Sequence, residues 1–217
     1  MNNKNNNSAV FSVVGIGPGS LDYLLPAAEQ EIKNSDLLVG GSRHLELFSG
    51  LNKKTFVLDG RISEFADFIR SNKEKHKIAV LVSGDPGYYS LLGLVRKNFD
   101  SSEYIVIPGI SSFQLAFARV KLEWKDAQLL SLHGRPLNIL DKYISEDECT
   151  GGSLALLTDK NNTPYKISGY LISKGCRDRK VFIAENLSYP EEKITETTLK
   201  NVKEKDVYNL CVMIILK

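Results

Sequence analysis

The 217-residue chain is poor in the features that mark the more specialised classes of protein. It has three cysteines, Cys149, Cys176 and Cys211, an odd number set far apart. With no Cys-x-x-Cys pair and no Cys/His spacing, neither a disulfide framework nor a zinc site is indicated, and a reducing cytoplasm is the expected compartment. No apolar run approaches the roughly 18–20 residues that cross a bilayer. Charge of one sign is also missing: 28 Lys+Arg face 26 Asp+Glu, and the net +2 is too small to announce nucleic acid or an anionic membrane. Residues 1–10 are Asn-rich and lack the apolar stretch of a secretory signal, so a disordered tail is expected there. There is no internal repeat. What remains, 42% hydrophobic and 25% charged residues, is ordinary for a globular enzyme.

Against this background the informative feature is alternation. Short aliphatic runs over 11–16, 37–39, 55–58, 78–82 and 104–107 predict strands, and helical patterns over 24–34, 42–48, 62–73, 88–98 and 111–120 separate them. In 62–73, Ile62, Phe65, Ala66 and Ile69 keep helical spacing, and in 88–98 Tyr88, Leu91, Leu92 and Val95 are expected to face inward. Residues 122–126 look like a junction. A second alternation follows: strand 128–132, helix 137–144, polar loop 145–152, strand 153–157, helix 163–173, strand 180–184 and strand 210–216. The polar, Thr-rich segment 193–203 fits neither period. The expected fold is α/β, with two domains at 11–121 and 122–217, mainly parallel sheets, and a ligand crevice between them.

Three Gly/Pro loops follow the predicted strands of the first half: Gly15-Ile16-Gly17-Pro18-Gly19, Ser83-Gly84-Asp85-Pro86-Gly87 and Pro108-Gly109-Ile110-Ser111-Ser112. In an open parallel sheet, ligands bind beyond the carboxyl ends of the strands. Each loop also has a plainer reading. GIGPGS is a poor dinucleotide fingerprint, since Ser20 stands at the third glycine and Gly40-Gly41 where an acidic residue is required, and a glycine turn accounts for it. Asp85 before Pro86 can be a turn residue bonding its own backbone, and Ser111 or Ser112 a helix cap. The three together, in this order, carry more than any one of them.

With SGDPGYYSLLG at 83–93, PGISSFQLAFARVKLEWKDA at 108–127, SLHGRP at 131–136 and AENLSYPEEKI at 184–194, the chain resembles the tetrapyrrole (corrin/porphyrin) methylases, and within them the E-type precorrin C5-methylating enzymes of cobalamin biosynthesis. The resemblance spans nearly the whole chain and implies a methyltransferase using S-adenosylmethionine (SAM), held between two α/β domains. It implies that Gly84, Asp85, Ser111, Ser112, Leu157, Thr158, Ala184, Asn186 and Leu187 line the cofactor site, and that Gly17, Pro18 and Gly19 face the tetrapyrrole. It further implies a homodimer and a separate C15-methylase/decarboxylase partner encoded elsewhere. Two departures are visible. Pro26 replaces a threonine common after the leucine, and Ser20 stands where relatives of other specificity carry Asp, so no catalytic residue is transferred from them.

SAM carries no phosphate, so its site needs polar groups and close backbone approach rather than a helix dipole aimed at a pyrophosphate. The acceptor, an electron-rich meso carbon, is itself enamine-like, and no strong base is required for the transfer step. The substrate's rim of carboxylates calls for basic residues. His133 and Arg135 are the leading candidates, with Arg43 beside them; His44, Arg61 and Arg119 also lie near loop ends. The plainer reading of Arg43 and His44 is a solvated helix start, that of His133 a turn histidine, and that of Trp124, Tyr88 and Tyr89 packing. No metal site is expected. Two other functions compete: the same fold acting on another tetrapyrrole, a protein histidine or RNA, and a non-catalytic nucleotide module built on the Gly15–Gly19 loop.

Overall fold

The computed structural model describes residues 10–144, 152–205 and 207–217. The expected tail, most of the polar loop at 145–152 and Cys149 fall outside them. The chain divides into two compact units, one ending at Ser111 and the other beginning at Ser112. The boundary expected at 121/122 thus falls earlier, and the helix after the PGISS loop groups with the second unit.

In the first unit the strands are β1 (Phe11–Gly15), β2 (Leu37–Gly40), β3 (Lys54–Val57), β4 (Ile78–Val82) and β5 (Tyr104–Ile107), and the helices α1 (Pro26–Asn34), α2 (Ser42–Glu46), α3 (Phe65–Asn72) and α4 (Leu92–Asn98). The sheet order is β3-β2-β4-β1-β5, every pairing parallel. Strands β1, β2 and β4 are buried on both faces, which explains their unbroken apolar runs. Side chains alternate across a strand. Phe11, Val13, Leu37, Val39, Ile78, Val80 and Val82 pack with Phe65, Ile69, Val95 and Phe99 on the α3/α4 face. Val14, Leu38, Ala79 and Leu81 pack with Ala28, Ile32, Leu45 and Phe48 on the α1/α2 face. Two covered faces leave the carboxyl edge as the place for a ligand.

The second unit holds α5 (Ser112–Val120), β6 (Gln128–Ser131), a 3-10 segment (Leu137–Tyr143), β7 (Leu154–Leu157), α6 (Pro164–Ser173), β8 (Lys180–Glu185), β9 (Lys193–Thr198) and β10 (Val212–Ile215). Here the expectation of mainly parallel pairing is corrected. The order is β6-β7-β10-β8-β9; β6–β7 is parallel, but β7–β10, β10–β8 and β8–β9 are antiparallel. The final strand inserts between β7 and β8. Those two run in the same direction, joined through α6, so the βαβ reading had the right sense but lacked the intruding strand. β9, the segment that fitted neither period, is a polar, largely exposed strand paired only to β8.

Two helix starts also differ from expectation. Glycine and proline delay α1: a 3-10 turn (Leu21–Tyr23), its N-terminal N–H of Asp22 capped by Ser20 Oγ at 3.2 Å, precedes a helix that opens on Pro26. α4 begins at Leu92 rather than at residue 88, because Tyr89 is held at φ +48°, outside the helical region. Among the described residues no helix is long and apolar enough to cross a membrane.

Candidate active site

Strands β4, β1 and β5 are neighbours, so the three Gly/Pro loops leave the sheet side by side. Their backbones touch. A Cβ on Gly109 would stand 2.2 Å from the Gly84 carbonyl oxygen, and one on Gly15 would stand 2.6 Å from both that oxygen and Gly109 N. No side chain fits either position, and this is the physical reason for glycine at the end of β1 and in the loop after β5. Gly84 N donates to Gly17 O at 2.8 Å, and both glycines have positive φ, +65° and +83°.

Asp85 completes the junction. One carboxylate oxygen accepts from Gly87 N at 2.8 Å, within its own turn, and the other from Gly109 N at 3.1 Å, on the neighbouring loop. The turn reading holds, since Asp85 bonds its own backbone, and the carboxylate also ties the second loop to the third. The tie to Gly109 lies twenty-four positions away and has no local sequence signal.

The GIGPG loop does not form a phosphate cradle. Gly17 O is taken by Gly84, the loop runs into a 3-10 turn, and α1 starts only at Pro26. No helix N-terminus meets the glycines, which removes the mechanism of the nucleotide-module reading. Backbone groups, hydroxyls and a partly buried carboxylate are what the rim offers, a set that suits a cation without phosphates such as SAM. A Cβ on Gly84 would meet only Ser111 Cα, at 3.6 Å, so the notch at the end of β4 keeps open space.

Beside this junction, at the carboxyl ends of β2, β3 and β4, lies a recess of about 470 Å³ lined by Gly41, His44, Asp59, Ser83, Tyr89 and apolar side chains that include Leu58 and Leu81. The Asp59 carboxylate accepts from Ser42 N at 3.1 Å and from Ser42 Oγ in a shorter bond, and these bonds hold it below the usual carboxylate range. His44 is not the solvated residue expected. Burial, and then the adjacent Arg43 charge, depress its pKa below 6.5, against the opposing pull of Asp59 and a hydrogen bond to the Leu81 backbone. Arg43 itself is exposed. Tyr89 is 54% exposed and meets Tyr88 edge-on at 4.7 Å; Trp124, at 44%, is likewise exposed rather than packed.

In the second unit, the SLHGRP loop is built to present its side chains. Asp159 accepts from Gly134 N at 2.7 Å and from the N–H groups of Asn161 and Asn162. The buried Asn162 amide donates to the carbonyls of Leu132 and Arg135 at 2.7 and 2.8 Å. His133 and Arg135 stand exposed on that frame. Two other basic candidates are held by acidic partners. Arg61 is paired with Glu64 and stacked on Phe56 at 4.5 Å, and Arg119 is paired with Glu192, whose carboxylate also accepts from Ser188 N. Thr158 N and Oγ1 both bond Cys211 O at 3.2 Å, and Leu157 O accepts from Leu132 N. Ala184 is completely buried in β8 between Val212 and Ile194, Leu187 is 3% exposed, and Asn186 is half-buried at φ +50°. Burial pushes the Cys211 thiol up to about 12, which makes it inert. No group of three or more potential metal ligands occurs among the described residues.

Residues 10–203 match the family described as Tetrapyrrole (Corrin/Porphyrin) Methylases. A probable cobalt-precorrin-7 C(5)-methyltransferase of Methanocaldococcus jannaschii is 36% identical over 208 residues, 93% of this chain and 95% of that protein. The cobalt-precorrin-7 C(5)-methyltransferase of Salmonella typhimurium is 32% identical over 185 residues, 85% and 89% of the two chains. The uroporphyrin-III C-methyltransferase of Thermus thermophilus, solved in complex with S-adenyl homocysteine, shares the fold with a TM-score of 0.74 at 18% identity, over 95% of this chain and 96% of that one. The chain belongs to the tetrapyrrole methylases, and is a SAM-dependent methyltransferase of a tetrapyrrole.

Proposed function

We propose that the protein methylates C5 of precorrin-7 or cobalt-precorrin-7 in the building of the corrin ring. The observation that carries this is near-complete coverage, at 36% and 32% identity, of two proteins named for that reaction. SAM, when bound, supplies an electrophilic methyl group on a sulfonium. The chain's own part is to hold donor and acceptor carbon in line and to exclude water. Orientation of this kind can contribute about 7–11 kcal/mol in ideal cases, and a dry site favours loss of the sulfonium charge.

Within the first unit, Gly84, Asp85 and Ser111 are the proposed cofactor contacts, with Asp85 acting chiefly by fixing the loops. Gly17, Pro18, Gly19 and Arg43 are proposed to face the macrocycle. In the second unit, Ser112, Leu157, Thr158 and Asn186 are proposed for the cofactor, with Ala184 and Leu187 contributing shape behind them, and His133 and Arg135 for substrate carboxylates. The working form is proposed to be a cytoplasmic homodimer, with the C15-methylating decarboxylase a separate protein. Calorimetry with SAM and adenosylhomocysteine, followed by turnover of precorrin-7 with and without cobalt, tests the reading. Heat of binding with both and transfer of one methyl group per ring support it; no binding and no transfer refute it.

A further inference from the structure

The methyl transfer releases a proton that must find an acceptor. The following rests on the reading of the acceptor as an electron-rich ring carbon bearing hydrogen. The π pair at that carbon forms the new C–CH₃ bond. The S–CH₃ bond breaks with its pair left on sulfur as a thioether, and the positive charge reappears on the ring as an iminium. Losing the hydrogen on the methylated carbon as a proton returns its bonding pair to the ring and restores neutrality. Each turnover therefore gives up one proton, which a base lining the site can accept.

The rim of the first unit offers few. Both Asp85 oxygens already accept backbone N–H groups. Asp59 is exposed and tied to Ser42, which leaves it a poor base. His76 precedes β4, at the opposite edge of the sheet. His44 is different on three counts. Its ring lines the recess at the carboxyl ends of β2, β3 and β4. Its Nδ1 is shielded from solvent and has no hydrogen-bond partner among the described residues. A hydrogen bond to the Leu81 backbone favours the protonated form of the ring. An unpaired nitrogen kept from water costs free energy, and groups of this kind occur at catalytic sites.

We propose that His44 takes up the proton released from the methylated carbon, and that the recess it lines seats the reacting edge of the macrocycle. The groups that face it fit the task. Burial and Arg43 keep the imidazole neutral while it waits, and the Asp59 carboxylate favours the imidazolium once formed. Leu58, Leu81 and Val82 line the same recess with apolar surface, and Tyr89 stands at its side. The proton then passes from the imidazolium to solvent.

The test combines histidine NMR of the full-length protein with turnover of His44→Asn and His44→Gln, using His76→Asn as control. In the free wild type, the His44 resonances should titrate below 6.5, the ordinary value, and adding precorrin-7 should shift them while leaving those of His76 in place. The His44 variants should bind adenosylhomocysteine as the wild type does, lose kcat by about 10²–10⁴-fold, and lose the acidic limb of the wild-type pH–rate profile. His44 resonances indifferent to precorrin-7, or His44 variants with the kcat and pH profile of the wild type, overturn the proposal and leave the C5-methyltransferase reading standing. A wild-type protein that neither binds nor methylates a tetrapyrrole overturns both.

Discussion

A glycine can be present for its own torsion angle or for a neighbour's need of space, and this chain holds both kinds. Gly109 is the second kind: any Cβ there collides with the Gly84 carbonyl. Gly109→Ala should cost about 1–3 kcal/mol, as overpacking does. Gly93 sits exposed in α4 with nothing within 4 Å of its would-be Cβ, and Gly93→Ala should stabilise by about 0.5–1 kcal/mol. Urea unfolding of the two variants reads both signs; equal effects would contradict the backbone-contact account. Asp85→Ala leaves the Gly87 and Gly109 N–H groups without their acceptor. SAM affinity should fall further than tetrapyrrole affinity, as calorimetry with each ligand would show, and an equal loss of both would deny Asp85 its part in shaping the cofactor side. Sequence alone offered Asp85 as either turn or ligand residue. That it is a strut between loops could not be read there, because the partner is a backbone N–H on a loop twenty-four residues away. His44 was misjudged for a related reason: an imidazole at a helix start looks solvated until β4 is laid beside it.

At the scale of elements, what could be read depended on where the element's partners lie. The fully buried strands of the first sheet declared themselves as aliphatic runs, and β4 and β5 fall where expected. β9 did not: Lys193-Ile194-Thr195-Glu196-Thr197-Thr198 is a polar edge, stabilised by pairing with β8 rather than by burying an apolar face. The start of α4 was misplaced because the Asp85 turn and the left-handed Tyr89 are set by tertiary contacts. The SLHGRP loop shows how one element holds another. Burial opposes ionisation of Asp159, but the N–H groups of Gly134, Asn162 and Asn161, with His133 nearby, outweigh it, and the carboxyl lies below 3.8. A carboxyl depressed in the folded state adds stability that is present above 3.8 and is lost as pH falls through its lower folded value. The urea midpoint of the wild type should therefore drop on acidification through that range. Asp159→Asn should be less stable at neutral pH and lack that part of the drop; a parallel decline of the two proteins would remove Asp159 as the anchor of the loop.

For the whole molecule, the division into two α/β units followed from alternation alone, and the family from four short motifs; residues 10–203 match that family. The direction of the last strand did not follow, since an antiparallel insertion between β7 and β8 leaves no mark on the run VMII. That topology matters to function only through what it positions. The carboxyl rim of the first sheet, where three glycine loops meet backbone to backbone, is proposed to shape the site of methyl transfer to the tetrapyrrole. The most direct measurement is carbon-13 NMR of the product formed from precorrin-7 and SAM labelled in its methyl group. The account predicts a single enriched methyl signal coupled to C5 of the ring. Label at any other carbon, or none in the ring at all, would contradict it.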